Sequence, residues 1–528
     1  MGITVLWGSN VPLALGAIIF IVTISCILIK SSWSLGIPAP FLARYTKLWY
    51  AWHIHHDDLH WANIELHRRK GEYKILPNYE VFLSKQCKHA DYYTGKIVQV
   101  MPGYFIIDDP EAHKVVYGLG NAWLKGEFYD AWKVGADPNH NNLFATRNPA
   151  QHSEMRRKVA SMYSMTSMVS YEPYVDLCIE LLVAQLEESA TTINVGAWLQ
   201  YFAFDAISMI TFGQRMGFLD KGSDVENMIE NLNFDHMMLT YASLYPWTTP
   251  YVRMLSSLIS GPKIHFFMRF ASEKITAARQ ETQDLPADGP AYMVRKFLDA
   301  QRKEGKKGMT DWDVSANAGA NIGAGSDTTA IALTSIVYYV YRDARVLGRL
   351  RQEISGSELS GRPTFQDTQK LPYMQAVIKE AVRVQPGVGL PLWREVPKGG
   401  AVVCGQFFPE RVNIGVNPWV PHHNKEVFGV DADEFRPERW LEASSEKLAK
   451  MEQSMVHFGL GSRTCIGKNV SLLEINKLIP VLVRNFDLSF CDKHGDPENR
   501  DYVPVRNKWF IKVPQLYARV TKRGAVGK

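Results

Sequence analysis

The sequence lacks several features that mark common classes of protein. Its six cysteines form no C-x-x-C pair, and their spacings fit neither a zinc site nor a dense disulfide framework, which favours a reducing compartment. It has no long run of Lys or Arg, and a net charge of +5 is small for 528 residues, so we expect no nucleic-acid partner. No Gly-x-Gly-x-x-Gly follows a convincing strand, which argues against a nicotinamide or flavin domain. Without a Pro/Ser/Gly-rich linker or an internal repeat, residues 61–528 are predicted to form one large catalytic unit.

The N-terminus also lacks charge. Residues 11–29, VPLALGAIIFIVTISCILI, carry none, and at about 1.5 Å per residue they nearly cross a hydrocarbon core of about 30 Å. Basic residues follow at Lys30, Arg44 and Lys47, so the positive-inside rule places the rest of the chain in the cytosol. We predict that residues 1–30 form an uncleaved transmembrane anchor and that residues 31–60 form a tether. The alternative is a cleaved signal peptide, which would want positive charge before the apolar stretch.

The pattern of apolar residues predicts a mainly α fold with small β-sheets. Apolar runs on either side of Pro102-Gly103 favour a pair of strands, and Pro110 is expected to open a helix. Helical periodicity dominates residues 150–355, whereas residues 390–418 suit short strands. A helix is expected after Cys465, with a final strand-like stretch near Trp509.

The strongest motif surrounds Cys465. Residues 458–467 read FGLGSRTCIG and have the form F-x-x-G-x-R-x-C-x-G. The glycines allow backbone to approach a flat macrocycle, and the N-terminus of the following helix would stabilise a thiolate. A thiolate ligand donates electron density to a haem iron and favours O–O cleavage, and Arg463 can pair with a haem propionate. The other five cysteines are interpreted as inert thiols.

With this motif the chain resembles the cytochrome P450 family. The resemblance covers about residues 40–515. The stretches FDAISMITFG, DEFRPERW and HSEMRRKVA are similar to fungal microsomal members of the pisatin demethylase-like kind. The resemblance implies the cytochrome P450 fold, a haem b cofactor and Cys465 as the axial ligand of its iron.

The family's Glu-x-x-Arg pair is matched by Glu380 and Arg383, which share a helix face at i, i+3. Its third partner, an Arg in a Pro-rich loop, is matched by Arg439. The resemblance implies a buried structural triad that holds the scaffold on the haem side. Taken alone, an E-x-x-R pair is more often a surface ion pair worth about 0–1 kcal/mol.

The family's oxygen-activation motif is matched by residues 324–329, AGSDTT. The resemblance implies that Ala324 and Gly325 leave room for dioxygen and that Thr328 lies in a local distortion of a long helix, where it hydrogen-bonds the activated oxygen. Asp327 would relay protons from solvent. The alternative is an ordinary helix whose Ser and Thr side chains bond to its own carbonyls.

Three further residues match positions that bind haem propionates in the family, besides Arg463. His152 and Arg156 occupy the helix where the family usually has W-x-x-x-R, so His152 is a departure from the pattern. Arg394 lies where the family places a propionate-binding Arg on a strand, and a surface salt bridge is the alternative.

Residues 72–95 have no clear helical or strand period. Their removal joins LHRRKG to KIVQVMPG, which fits the family pattern, and both ends can be encoded with splice signals. We hypothesise a retained intron. The alternative is a genuine surface loop, which folds tolerate at little free-energy cost.

The function implied by the resemblance is monooxygenation: one atom of O₂ enters a small apolar substrate and the other leaves as water. Electrons would come from a membrane-bound NADPH–cytochrome P450 reductase, with cytochrome b5 as a further partner, at the endoplasmic reticulum. Fungal secondary metabolism or detoxification is the expected setting. The alternatives are a haem-thiolate isomerase or peroxide-using enzyme, which often lacks the Asp–Thr pair, and a haem protein without turnover.

Overall fold

The computed structural model describes residues 36–68, 95–120, 122–133, 141–189, 192–260, 265–280, 291–304, 308–498, 505–513 and 515–524. The predicted anchor, residues 1–30, lies outside this part of the chain. So do residues 72–94 of the segment 72–95.

The described chain is mainly helical. Its α-helices up to residue 304 are α1 (Phe41–Tyr45), α2 (Leu48–His55), α3 (Leu59–Arg68), α4 (Pro110–Tyr117), α5 (Pro149–Val159), α6 (Met165–Val169), α7 (Glu172–Glu188), α8 (Val195–Phe212), α9 (Phe218–Lys221), α10 (Met228–Ala242), α11 (Thr249–Ser260), α12 (His265–Gln280) and α13 (Met293–Glu304). The remainder are α14 (Asp311–Ala320), α15 (Ser326–Arg342), α16 (Ala344–Ser355), α17 (Phe365–Thr368), α18 (Pro372–Val384), α19 (Trp419–His422), α20 (Lys425–Phe428), α21 (Arg439–Glu442), α22 (Ser445–Gln453) and α23 (Lys468–Asn485).

The strands are short and form small sheets. They are β1 (Ile97–Met101), β2 (Tyr104–Ile107), β3 (Leu124–Lys125), β4 (Thr192–Asn194), β5 (Arg394–Glu395), β6 (Ala401–Val403), β7 (Gln406–Phe408), β8 (Asn413–Gly415), β9 (Phe486–Cys491), β10 (Arg506–Lys508), β11 (Phe510–Lys512) and β12 (Tyr517–Lys522). Five of them form one sheet in the order β1-β2-β8-β5-β3, and three form another in the order β4-β12-β9. The pairs β6–β7 and β10–β11 are two-stranded. The predicted mainly α fold with small sheets is therefore confirmed.

The strand pair and helix predicted around Pro102 and Pro110 are confirmed. β1 and β2 pair antiparallel, and α4 begins at Pro110. The side chain of Asp109 caps this helix by accepting from the backbone N–H of Glu111 at 2.9 Å. Proline suits the first helical position because its missing N–H would have had no partner within the helix.

Helix α15 lies at the centre of the helical part and packs against α8, α16, α18 and α23. Thirteen of its side chains are buried, which leaves few positions that face open space. Helix α8 is long and apolar enough to cross a membrane, but 72% of it is buried. Its apolar surface on all sides therefore fits a helix in a protein core.

Trp509 forms the tip of the β10–β11 hairpin, where Lys508 pairs with Phe510. Its φ of 82° places it in the left-handed region that a bulky side chain rarely adopts, although the side chain is 2% exposed. Strained residues of this kind concentrate at functional sites. The hairpin packs against α15 and α10.

Candidate active site

Cys465 lies in a loop between a 3₁₀ turn, Gly461–Arg463, and the N-terminus of α23. Its backbone N–H donates to the carbonyl oxygen of Phe458 at 2.7 Å, which closes the loop. Glycine is required at position 461, because its φ is +60° and a Cβ would lie 1.8 Å from the carbonyl oxygen of Tyr117. Cys465 as a residue is exposed. The loop therefore leaves the residue accessible.

The surroundings of the sulfur balance two opposing effects. Burial raises the pKa of the Cys465 thiol, and the backbone N–H groups of Gly467 and Lys468, together with Arg156, offset only part of that rise. The sulfur is accessible and yet has protein on most sides, as for an atom that lines an internal cavity. A metal ion bound to the sulfur takes the place of the proton, so the thiolate becomes the favoured form in spite of its burial.

Five side chains that can carry positive charge lie close together beside this loop. We call them the cation cluster: Lys125, His152, Arg156, Arg394 and Arg463. Lys125 on β3 pairs in register with Arg394 on β5. Arg156 on α5 donates to the carbonyl oxygen of Thr464 at 2.8 Å, directly before Cys465. Among the described residues, no Lys or Arg of the cluster forms an ion pair.

The pKa values of the cluster show the cost of this arrangement. Burial, followed by the charges of neighbouring arginines and Lys125, lowers the pKa of His152 to about 3. Burial, Arg394 and Arg463 lower the pKa of Lys125 well below its ordinary value. Burial and Arg394 lower the pKa of Arg463 to about 10. Buried like charges of this kind are stabilised by an anionic ligand.

The helix that carries the oxygen-activation motif is distorted, but not at Thr328. The distortion is a π-helical turn, Asn321–Gly325, that separates α14 from α15. Thr328 lies in regular helix three residues later, and its hydroxyl donates to the carbonyl oxygen of Ala324 at 2.8 Å. Ala324 is exposed whereas Ile322 and Asp327 are buried, so the turn opens a gap at Ala324. π turns within α-helices occur frequently at functional sites.

Tyr163 joins the π turn to the cysteine helix. Its hydroxyl hydrogen-bonds the side-chain oxygen of Asn321 at 2.5 Å. Its carbonyl oxygen accepts from the side chain of Asn469 on α23 at 2.8 Å. Tyr163 therefore links the π turn that precedes the motif of Asp327 and Thr328 to the helix that follows Cys465.

Asp327 is only 1% exposed and is held by side chains from three elements. Lys512 on β11 lies 2.6 Å from its Oδ2 atom, and Gln200 on α8 donates to Oδ1 at 2.7 Å. The ring nitrogen Nδ1 of His236 on α10 lies 3.6 Å from Oδ2. Burial alone would raise the pKa of Asp327, but these three neighbours hold it below its ordinary value.

The structure brings Glu380, Arg383 and Arg439 together. Arg383 forms a bidentate ion pair with Glu380, with both distances 2.8 Å, and Arg439 reaches Glu380 at 2.8 Å. All three side chains are at most 1% exposed. Burial alone would raise the pKa of Glu380, but Arg383 and Arg439 hold it below its ordinary value.

The remaining hydrogen-bonding atoms of this triad also have partners. Glu380 accepts from the backbone N–H of Arg436 and from the indole of Trp440, both at 2.9 Å. Arg383 donates to the carbonyl oxygens of His422, at 2.7 Å, and Ala432, at 2.6 Å. The triad therefore joins α18 to the chain around residues 422–440, and an alternative reading as a surface ion pair does not fit its burial.

The sequence profile of the cytochrome P450 family matches residues 77–508.

The chain belongs to the cytochrome P450 family.

Curated relatives agree with this assignment. A pisatin demethylase of Fusarium vanettenii is 38% identical over 497 residues, which cover 92% of this chain and 88% of the relative. The cytochrome P450 monooxygenase cicH of Emericella nidulans is 32% identical over 509 residues, 93% and 94% of the two chains. A cytochrome P450 monooxygenase of Aspergillus terreus is 32% identical over 472 residues, 86% and 90%. The chain is thus a fungal-type P450 monooxygenase similar to pisatin demethylase, and its family binds haem b through a cysteine thiolate.

The described residues fit a haem. A macrocycle with two propionates supplies the anions that the cation cluster lacks. The sulfur of Cys465, an exposed residue, would bind the iron. The loop before Cys465 packs closely against Tyr117, which glycine at position 461 allows. When bound, the haem would activate dioxygen at its iron, because the thiolate donates electron density that favours O–O cleavage.

Sequence reasoning missed Lys125, Gln200, His236 and Lys512. Lys125 belongs to a strand of two residues and carries no motif. Gln200 and Lys512 reach Asp327 across 127 and 185 positions of sequence. No local pattern could have singled out these contacts, because they depend on how α8, α10 and the β10–β11 hairpin pack.

Proposed function

We propose that this chain is a haem-thiolate monooxygenase that inserts one oxygen atom of O₂ into a small, apolar, ring-containing molecule. Cys465 is the iron ligand. Arg156, Arg394 and Arg463, with His152 and Lys125, hold the propionates. The observation that carries the proposal is the exposed residue Cys465 beside a buried cluster of cations that have no carboxylate partner in the described part of the chain.

Asp327 and Thr328 manage protons in this proposal. Asp327 lies next to solvent-reaching side chains, since Lys512 is 19% and His236 12% exposed. Thr328 lies four residues after the exposed Ala324 and can turn its hydroxyl from the Ala324 carbonyl towards the gap at Ala324. Glu380, Arg383 and Arg439 hold the scaffold and take no part in the reaction.

An aromatic cluster supports the substrate class. It comprises Phe128, Tyr129, Trp132, Phe144, Trp509 and Phe510, with His236. The ammonium of Lys125 lies 4.2 Å from the ring centroid of Phe144, and His236 lies beside Asp327. The cluster therefore extends from the propionate-binding residues to the proton relay. Aromatic walls of this kind favour flat apolar ligands.

The electron donor is proposed to be an NADPH–cytochrome P450 reductase, with cytochrome b5 as an accessory partner. Arg157 and Lys468 are exposed near the Cys465 loop and present positive charge to an acidic partner. Lys158, on the same helix as Arg157, pairs with Asp313 at 3.0 Å and is less available.

Two exposed apolar patches support a membrane location at the endoplasmic reticulum. The first patch lies on α1 and α2 and comprises Phe41, Leu42, Leu48 and Trp52. The second lies around α11 and comprises Tyr245, Trp247, Tyr251, Met254 and Leu255. Trp247 is 72% and Leu48 64% exposed. Lys47 joins the two patches, since it donates to the carbonyl oxygen of Leu244 and lies 4.7 Å from the ring centroid of Tyr245. Together with an anchor in residues 1–30, they would lay one side of the catalytic domain on the bilayer.

The test is expression with a reductase and NADPH. We expect a haem-containing protein whose reduced, CO-bound spectrum shows the shifted Soret band of thiolate ligation, and products heavier than their substrates by one oxygen atom. Cys465→Ala should abolish the band. A protein that binds no haem, or binds it through a nitrogen ligand, would refute the proposal, and turnover without NADPH would favour the isomerase or peroxide-using alternative.

Thr328→Ala tests proton management. We expect more peroxide per NADPH consumed while the haem stays bound, because the hydroxyl next to the gap at Ala324 is lost. Thr334→Ala is the matched control, since Thr334 makes the same kind of bond to the Ala330 carbonyl in the same helix, at 2.7 Å. Equal peroxide release from both variants would contradict the role of Thr328.

We also propose that residues 72–95 are an insertion, and the contact between Gly95, at the end of the segment, and His67, which precedes it, supports this. His67 and Gly95 are in contact, with Nδ1 of His67 2.5 Å from the Gly95 carbonyl oxygen. A Cβ at position 95 would lie 2.3 Å from the carbonyl oxygen of His67, so the residue before Lys96 must be glycine. Removal of residues 72–95 places Gly71 before Lys96 and meets that requirement.

Two observations test the insertion. The transcript should lack codons 72–95 if they are an intron, and an mRNA that keeps them throughout would refute the intron. A protein with residues 72–95 deleted should fold and give the thiolate spectrum. Gly71→Ala in that deletion is the matched control, and it should lower the melting temperature because the methyl group meets the His67 carbonyl.

A further inference from the structure

Lys512, the last residue of β11, makes the closest charged contact of Asp327. Its ammonium lies 2.6 Å from Oδ2, and the two side chains are 19% and 1% exposed. The same ammonium donates to the side-chain oxygen of Asn233 on α10. The lysine thus joins the hairpin, α10 and α15 at one buried carboxylate.

The other groups that face Asp327 are Gln200 from α8 and His236 from α10. Gln200 donates a hydrogen bond but carries no charge. Burial lowers the pKa of His236 to about 4, although Asp327 acts in the opposite direction, so this histidine is neutral at pH 7. Among the described residues, Lys512 is therefore the one cation that pairs with Asp327 at neutral pH.

A carboxylate buried as deeply as that of Asp327 takes up a proton when its counter-charge is removed. One hydrogen bond from Gln200 offsets part of the cost of burying the charge, and a full positive charge at 2.6 Å offsets far more. The ionised form of Asp327 therefore depends mainly on the ammonium of Lys512, which the β10–β11 hairpin carries.

We propose that Lys512 is a positioning residue that keeps Asp327 ionised and fixes its carboxylate to the β10–β11 hairpin. The proposal rests on the proton-relay role given to Asp327 under the proposed function. An ionised Asp327 accepts a proton from solvent and passes it towards the gap at Ala324. An Asp327 whose pKa is raised is a weaker acid and gives up its proton less readily, so the relay slows.

Infrared spectroscopy of the holoenzyme measures the charge of Asp327 without turnover. We subtract the spectrum of Lys512→Met/Asp327→Asn from that of Lys512→Met, which cancels other protonated carboxyl groups. The expected result is a carbonyl-stretch band of a protonated acid at pH 7, whose midpoint lies about three to five pH units above the ordinary value of an aspartate and therefore far above the wild-type midpoint. Absence of that band, with an unchanged midpoint, overturns the proposal.

Lys508→Met is the matched control. Lys508 lies on the same hairpin and pairs with Asp57 at 3.0 Å, away from Asp327. It should leave the infrared midpoint of Asp327 unchanged, and Lys512→Arg should restore it. A shift of the same size in Lys508→Met would mean that the effect is a general loosening of the hairpin, and would overturn the proposal. If Lys512→Met folds poorly, Lys512→Met/Asp327→Asn should recover the melting temperature, because it leaves no unpaired buried charge.

Turnover separates this proposal from the one it rests on. Product formed per NADPH should fall about tenfold in Lys512→Met at pH 7 and recover as pH rises, because the carboxylate returns above its raised pKa. If Asp327→Asn leaves product per NADPH unchanged, the relay role of Asp327 is refuted, whereas the infrared result still decides whether Lys512 sets its charge.

Discussion

Two groups of buried charge in this chain are built in opposite ways. In the triad of Glu380, Arg383 and Arg439, each charged group meets an opposite charge, and the remaining donors reach backbone carbonyls. In the cation cluster, four Lys and Arg side chains and His152 lie together, and among the described residues none of the four pairs with an acid. A balanced group is complete in the protein itself. An unbalanced group is completed by a ligand of opposite charge, and so it marks a site.

Breaking the balanced group should have the largest effect. Arg383→Ala leaves Glu380 short of its bidentate partner in a buried position, which costs about 3–5 kcal/mol of unfolding free energy. Because folded proteins have about 5–15 kcal/mol in total, we expect little soluble protein and no thiolate spectrum. Yield and urea unfolding measure the effect.

Lys379→Ala is the control for that variant, since Lys379 lies on the same helix and pairs with Glu452 at 2.8 Å, with both side chains about half exposed. It should cost no more than about 1 kcal/mol. A similar loss from the two substitutions would remove the distinction between buried and exposed pairs in this region.

Removing one charge from the cation cluster should change the unfolding free energy less than breaking the triad, and in the opposite direction. Lys125→Met removes a buried cation whose pKa is depressed by burial, Arg394 and Arg463, so the haem-free protein should gain about 1 kcal/mol in unfolding free energy. The holoenzyme should lose haem faster, because a propionate partner is gone. Urea unfolding of the haem-free protein and haem transfer to a scavenging protein test the two halves.

Lys114→Met, which removes an exposed lysine paired with Glu111, should change either measurement little. If Lys125→Met instead destabilised the haem-free protein, the cluster would be a structural feature and the comparison with the triad would fail.

At neutral pH, the smallest effect concerns His152. Burial and the neighbouring cations lower the pKa of His152 to about 3, against an ordinary value of 6.5. Between these values the unfolded chain binds more protons than the folded one, so the stability of the haem-free protein should fall as pH drops from about 6.5 towards 3. His152→Gln should flatten the slope by at most about 1.4 kcal/mol per pH unit. Denaturant titrations at several pH values measure it, and an unchanged slope would show that His152 is not held neutral.

The local parts of this site could be predicted from sequence. Glu380 and Arg383 are one helical turn apart, and the loop before Cys465 has glycines where its backbone is crowded, so both followed from spacing and a family pattern. A local distortion of the helix was expected at Thr328, but the distortion is a π turn at Asn321–Gly325 that ends three residues earlier. Its position depends on packing that spacing does not encode: a Cβ at Gly325 would come within 3.1 Å of Ile207 on α8.

Long-range contacts could not be predicted in the same way. Lys125 and Lys512 look like ordinary lysines in short, largely apolar stretches. Only the pairing of β3 with β5, and the packing of the β10–β11 hairpin against α15, gives them their neighbours. The motif was enough to predict a role for Asp327. It could not predict that Lys512 would be its ion-pair partner.

The tip of the β10–β11 hairpin has a practical consequence for anyone who wishes to alter substrate preference. Trp509 and Phe510 belong to the aromatic cluster proposed to favour flat substrates, and Lys512 follows two residues after Phe510 on the same hairpin. Under both proposals, libraries that vary positions 509 and 510 would change the product formed per NADPH together with substrate selectivity. Variants should therefore be chosen on both quantities.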